Sequence, residues 1–224
     1  MFFGFSEQDI FTFFSAYAYS PGIVYIGIFI FMLFSGFGLP VPEEVVLVSS
    51  GLVAYTTLHP DLYPPPVGHT GGHVNIYVLA VVCFLSVLMC DFIVFLIGKY
   101  YGVKIVKSKF FKRFFPDHVF VKIQNMFLKY STFASGIFRV TPGIRFPGHI
   151  TCGMMGISPL KFLLIDGIVA LITVPTQVLL VGFYGQVILT KIKEFKIYLM
   201  IGLAICAVIY LLMKYLKKNK KVEA

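Results

Sequence analysis

The sequence predicts an all-α polytopic membrane protein. Its plan is an inverted repeat of a re-entrant helical hairpin plus a transmembrane helix, with an N-terminal amphipathic helix and a C-terminal transmembrane helix. Three observations carry this expectation. Of 224 residues, 58% are hydrophobic and the mean hydropathy is +0.88, beyond the range of soluble domains. Residues 75–97, 160–189 and 197–213 are apolar runs long enough, or nearly so, to cross a hydrocarbon core of about 30 Å at about 1.5 Å per residue. Finally, each half of the chain carries a short apolar piece, a Pro/Gly break holding charges and a second short piece ahead of a full span.

Residues 1–20, MFFGFSEQDIFTFFSAYAYS, mix Phe and Tyr with Ser, Glu, Gln and Asp, the composition of an interfacial amphipathic helix. No Lys or Arg precedes the first apolar run and no small-residue cleavage site follows it, which argues against a removable signal peptide. Residues 21–57 read as a first helix and re-entrant hairpin. Residues 21–35 are apolar but short, GFGLPVPEE interrupts them, and 45–58 is again too short to span. Non-helical backbone at membrane depth survives only where protein or a water-filled cavity satisfies it. Residues 75–97 then form an ordinary transmembrane helix.

The segment 99–130 is a basic loop, with Phe and Lys mixed in KSKFFKRFF like a surface helix on anionic headgroups. Residues 131–157 form the second re-entrant hairpin, broken at RVTPGIRFPGH. Residues 160–189 span the membrane with a kink expected at Pro175, 197–213 span it again, and 214–224 form a basic tail. The whole chain, 1–224, is one membrane domain.

Charge sets the orientation. Residues 1–98 contain no Lys or Arg, whereas 99–130 and the tail KYLKKNKKVEA hold most of the excess behind the net charge of +9. Beside apolar spans, such clusters mark cytoplasmic loops rather than a nucleic-acid surface. The loop 58–74 is then external, and the two hairpins dip in from opposite faces. Sites in inverted repeats of this kind lie near the midplane, at the repeat interface.

The charges inside apolar sequence are the candidate site. Arg139 and Arg145 flank Pro142 and Gly143. A straight helix would not align residues six apart, but a Pro-Gly break can bring both heads to one point. A guanidinium at the bilayer centre costs about 2.5–3.5 kcal/mol on insertion scales, and its planar fork suits a phosphate. The pair is therefore expected to bind a substrate phosphate; the structural alternative is that the arginines only neutralise acids and lock the hairpins together. Glu44 and Asp91 are the expected proton-coupling acids, since low dielectric favours the neutral carboxyl. Glu43 reads first as a cap of the following helix. Asp166 is read as a supporting acid with Lys161 as a local partner.

No cofactor or metal is expected. His69 and His73 lie in a Gly/Pro-rich loop without an acidic or Cys ligand close in sequence. The four cysteines, all in apolar context, read as reduced, buried thiols. An intramembrane lipid-phosphate hydrolase lacks a nucleophile and base in reach, and a scaffold would have no need of midplane charges.

At these residues the chain resembles the DedA family, also called the VTT or SNARE-associated domain family. GLPVPEEVVLVSSG is similar to its Pro-x-Pro-Gly-Glu motif, with Glu44 at the motif glutamate and Gly51 at the later glycine. CDFIVFLIGKYYG places Asp91, Gly98 and Gly102 at positions of the Gly-Asp…Tyr-x-Gly-Arg-x-x-Gly stretch. FRVTPGIRFPGHITCGMMGISPLKF matches the Arg-x-x-Pro-x-x-Arg signature through Arg139, Pro142, Arg145, Gly153 and Phe162, and GFYG resembles the last element. Glu43, Cys90 and Lys99 depart from the usual residues, and there is no Trp. The resemblance, over 36–185, implies two re-entrant hairpins and lipid translocation. It points to recycling of undecaprenyl phosphate across the cell inner (cytoplasmic) membrane, driven by the proton motive force, with phospholipid scrambling as the eukaryotic variant. The partners so implied are membrane lipids and protons. A homo-oligomer is compatible with the chain.

Overall fold

A computed structural model of the chain describes residues 7–36, 43–69, 71–107, 117–141 and 144–219. Among these it is helical, with no strand. The helices are α1 (Glu7–Ala18), α2 (Pro21–Gly36), α3 (Glu43–Leu58), α4 (Ile76–Lys107), α5 (Asp117–Tyr130), α6 (Ala134–Val140), α7 (Arg145–Met154) and α8 (Pro159–Asn219), with a 3-10 turn at Ser131–Phe133. The chain divides into two units, Met1–Phe183 and Tyr184–Ala224.

Local chemistry sets the starts of α2, α4 and α8. Pro21 and Pro159 open α2 and α8, where a missing N–H costs nothing. Asn75 Oδ1 accepts hydrogen bonds from the amides of Tyr77 (2.9 Å) and Val78 (3.2 Å), capping α4. Ser158 Oγ accepts from the Lys161 amide at 3.3 Å at the start of α8. After α7 the chain reverses at Gly156, whose φ of +79° suits a residue without Cβ.

Among the described residues two helices are long and apolar enough to cross a membrane: Ile76–Gly102 (27 residues, mean hydropathy 2.8) and Pro159–Ile188 (30 residues, mean hydropathy 2.0). Their outward faces are apolar too. Val81, Leu85 and Met89 on α4, and Leu164, Ile168 and Leu171 on α8, are exposed, as are Ile23, Ile26 and Ile30 on α2. Exposed apolar stripes of this extent are not the surface of a water-soluble monomer.

Three boundaries differ from the sequence reading. α4 does not stop at residue 97 but runs ten residues on, through Gly102 to Lys107; KYYGVKIVK has no Pro. The segment 99–130, read as a basic loop carrying a surface helix, is helical at both ends. α5 buries Ile123 and Phe127, one turn apart, and exposes Lys122 and Lys129; residues 108–116, which hold KFFKRFF, lie outside the described residues. In α8 the residue with non-helical backbone is Tyr184 (φ −118°, ψ 23°), not Pro175. Tyr184 sits between Gly182 and Gly185, two weak helix formers. Around Pro175, Thr173 and Thr176 hydroxyls donate to the carbonyls of Val169 (2.9 Å) and Ile172 (2.5 Å). In the second unit, residues 190–196 are helical, where a connection between two spans was read; TKIKEFK has neither Gly nor Pro.

Apolar burial does not drive helices together inside lipid, so close packing of small residues matters more. α4 and α7 meet at Gly98 and Gly153. A Cβ on Gly98 would collide with the Ile150 backbone, and one on Gly153 would lie 2.6 Å from the Lys99 amide nitrogen. A Cβ on Gly51 of α3 would likewise lie 3.1 Å from the Val178 carbonyl of α8. Among the described residues two larger apolar clusters result, beside a smaller one at Val94 and Ile150. One gathers Met32, Leu47, Leu79, Cys83, Val87 and Val174. The other gathers Phe95, Phe127, Phe138, Cys152 and Phe162. Along α4, Asp91 falls between Val87 of the first and Phe95 of the second; along α8, Asp166 falls between Phe162 and Val174. The polar site is therefore enclosed between two apolar layers.

Candidate functional site

Each charged group of the site comes from a different element or from a different end of a break. Arg139 lies in the last turn of α6 and Arg145 begins α7. Pro142 and Gly143, expected between them, are outside the described residues. Asp91 lies midway along α4, Asp166 in the second turn of α8, and Glu43 begins α3.

The arginines converge on Asp91. Arg139 Nη1 donates to Asp91 Oδ2, and Arg145 donates to the same carboxylate from Nε (3.0 Å, to Oδ1) and Nη2 (2.6 Å, to Oδ2). That is a bidentate fork, which only a guanidinium supplies. Arg139 Nη1 also donates to both oxygens of Asp166 (3.2 and 3.1 Å). Glu43 closes the group, paired with Arg145 Nη1 and 3.8 Å from Arg139 Nη2. Asp91, Asp166 and Arg139 are buried, while Arg145 and Glu43 keep slight exposure.

Glu43 and Asp166 stand differently from the sequence reading. Glu43, read first as a helix cap, faces the arginines; Glu44 is exposed. Asp166, read beside Lys161, instead pairs with Arg139 across the helix interface, because α8 turns its buried face toward α6 at that level.

His149 is the site residue that sequence reasoning missed. It is 1% exposed, with Nδ1 3.2 Å from Asp91 Oδ1 and Nε2 3.5 Å from Asp166 Oδ1. The signal was present: His149 follows Arg145 by four residues, which puts both on one face of α7. Asp91, His149 and Asp166 offer ligand atoms within 4.8 Å of one another, as a metal site would. Arg139 nevertheless donates to both carboxylates, and a multivalent cation there would face two guanidiniums. His69 Nε2 lies 3.3 Å from the Gly72 carbonyl, within its own loop.

Beside the ion group lies a cavity of about 220 Å³, lined by Glu43, Glu44, Arg139, Arg145, Thr173 and Gln177. At about 30 Å³ per water molecule, it has room for a phosphate and a few waters. Its wall carries both guanidiniums beside two neutral hydrogen-bonding side chains.

Charge decides what this arrangement can do. Three carboxylates meet two guanidiniums, which leaves one negative charge in excess before His149 is counted. Desolvating each ion costs several kcal/mol, so a buried ion group is poor evidence of stability and invites a functional reading. An anion in this cavity competes with the carboxylates for arginine hydrogen bonds. The carboxylates must then accept protons or other donors.

The chain is 29% identical, over 157 residues, to a Haemophilus influenzae protein described as "Uncharacterized membrane protein"; the match covers 70% of this chain and 68% of that one. No family model matches the chain, and no solved structure does. The likeness and the two apolar helices agree on a membrane protein.

Proposed function

We propose that this protein belongs with the DedA family and carries a phosphate-bearing lipid, of the undecaprenyl phosphate kind, across the cell inner (cytoplasmic) membrane in exchange for protons. The single observation behind this reading is the meeting of Arg139, Arg145, Asp91, Asp166 and Glu43 between two apolar layers, beside a cavity that fits one phosphate. In this reading the chain is multi-pass. α2 with α3, and α6 with α7, are the re-entrant hairpins of an inverted repeat, the loop 58–74 is external, and 99–130 and the tail are cytoplasmic. Arg139 and Arg145 hold the headgroup. Asp91 and an acid of the Glu43–Glu44 pair release the arginines when protonated and reclaim them when ionised. Binding of phosphate and of protons then favour each other by linkage.

The test is transport of polyprenyl phosphate in proteoliposomes, with and without an imposed pH gradient. The expected result is movement that the gradient accelerates. Equal movement without a gradient favours a phospholipid-type scramblase, release of inorganic phosphate favours a hydrolase, and no movement of any lipid rejects transport.

A further inference from the structure

Both ring nitrogens of His149 face carboxylates, and Nε2 has no hydrogen-bond partner although it is buried. A neutral imidazole carries one N–H, so its second nitrogen would direct a lone pair at an anion. Only the imidazolium can donate on both sides. The ring is held in place by Phe162, whose edge contact has centroids 5.2 Å apart at 87° and whose own face stacks on Phe95 at 4.4 Å. The groups facing His149 come from every neighbouring element. α4 supplies Asp91, α8 supplies Asp166, α6 supplies Arg139 across those carboxylates, and α7 itself supplies Arg145, which Glu43 of α3 pairs with. α5 turns apolar Ile123 and Phe127 inward.

Asp91 and Asp166 are thus bridged twice. One bridge is Arg139, whose charge is permanent. The other is His149, whose imidazole, unlike a guanidinium, can gain or lose a charge. One proton on the ring also removes the excess negative charge of the ion group.

We propose that His149 holds the exchangeable proton of this site, and that its charge decides how far Asp91 and Asp166 release the two arginines to an anion. Proton uptake forms the N–H that Nε2 lacks, with water as the donor, and loss of that proton returns it to water. With the imidazolium present, the carboxylates have a second cation and yield guanidinium hydrogen bonds to a phosphate. With neutral imidazole, they draw the guanidiniums back. The proton-holding half stands on the geometry alone; the coupling half rests on the phosphate reading above.

The experiment uses the full chain in nanodiscs. In one arm, ¹⁵N-histidine NMR is recorded on a variant in which His59, His69, His73 and His118 are Gln, leaving His149 as the sole histidine and the site intact. The ring should be found in two states, one protonated on both nitrogens and one on a single nitrogen, and a change of bulk pH should interconvert them. A ring fixed in one state at every pH tested overturns the proposal. In the other arm, proton uptake is measured calorimetrically on binding of methyl dodecyl phosphate, a diester whose single charge does not titrate near neutral pH. Wild type should take up close to one proton per ester bound, with affinity falling by up to roughly tenfold per pH unit as pH rises. His149→Gln should bind with little uptake and a nearly flat pH profile. Undiminished uptake in His149→Gln overturns the assignment. A ring that titrates in a wild-type protein that binds no ester upholds the proton site and overturns the phosphate reading.

Discussion

Glu43 and Glu44 show how one residue's rotation about a helix axis assigns a role. The two are adjacent at the start of α3, about 100° apart in projection; Glu43 pairs with Arg145, while Glu44 lines the cavity beside both arginines. Nothing in the sequence distinguishes two neighbouring carboxylates at a helix start, and the motif alignment points to Glu44. Arg139, Arg145 and Asp91 were legible because a charge in an apolar run has few mundane explanations. His149 was less so, since a lone imidazole in such a run is more often a satisfied core residue. If Glu43 competes with phosphate for the arginines, Glu43→Gln should tighten dodecyl phosphate binding several-fold at a fixed mildly alkaline pH, with Glu44→Gln changing it less. Affinity measured on the full chain in nanodiscs decides this, and a larger effect from Glu44→Gln returns the competing role to Glu44.

Among the elements, the breaks and the long helices were readable because Pro, Gly and charge punctuate apolar runs at both places. Helix ends in the basic segment were not, because the reading equated the end of hydrophobicity with the end of α4, and helical propensity does not follow hydropathy. Glycines were legible as motif positions, but their purpose needed coordinates. Gly98 and Gly153 let α7 lie against α4 backbone to backbone, and that approach brings Arg145 to Asp91. Gly153→Ala should therefore lower the thermal midpoint in detergent, with a destabilisation of about 1–3 kcal/mol from overpacking, and weaken dodecyl phosphate binding as well. Gly27→Ala on α2, where a Cβ meets nothing within 4 Å, should leave both unchanged. Unaltered stability and binding in Gly153→Ala would mean that the close approach does not hold the site together.

At the scale of the whole molecule, the site joins the two halves of the sequence. Glu43 and Asp91 come from the first half, Arg139, Arg145, His149 and Asp166 from the second, and neither half alone balances its own charge. Opposite charges placed in separate halves made this convergence legible in outline. Which acid meets which arginine depends on helix rotation and packing, and so was not.

The central claim is that the guanidiniums of Arg139 and Arg145 together hold a phosphate headgroup. Its most direct test is dodecyl phosphate binding to the full chain in nanodiscs, comparing wild type with Arg139→Lys and Arg145→Lys. Lysine keeps the charge and loses the fork, and charge-assisted hydrogen bonds contribute about 1.5–3 kcal/mol each. The account expects saturable binding to wild type and a loss of roughly tenfold or more in each folded, membrane-inserted variant. Undiminished binding by both lysine variants, or no saturable binding by wild type, would contradict it.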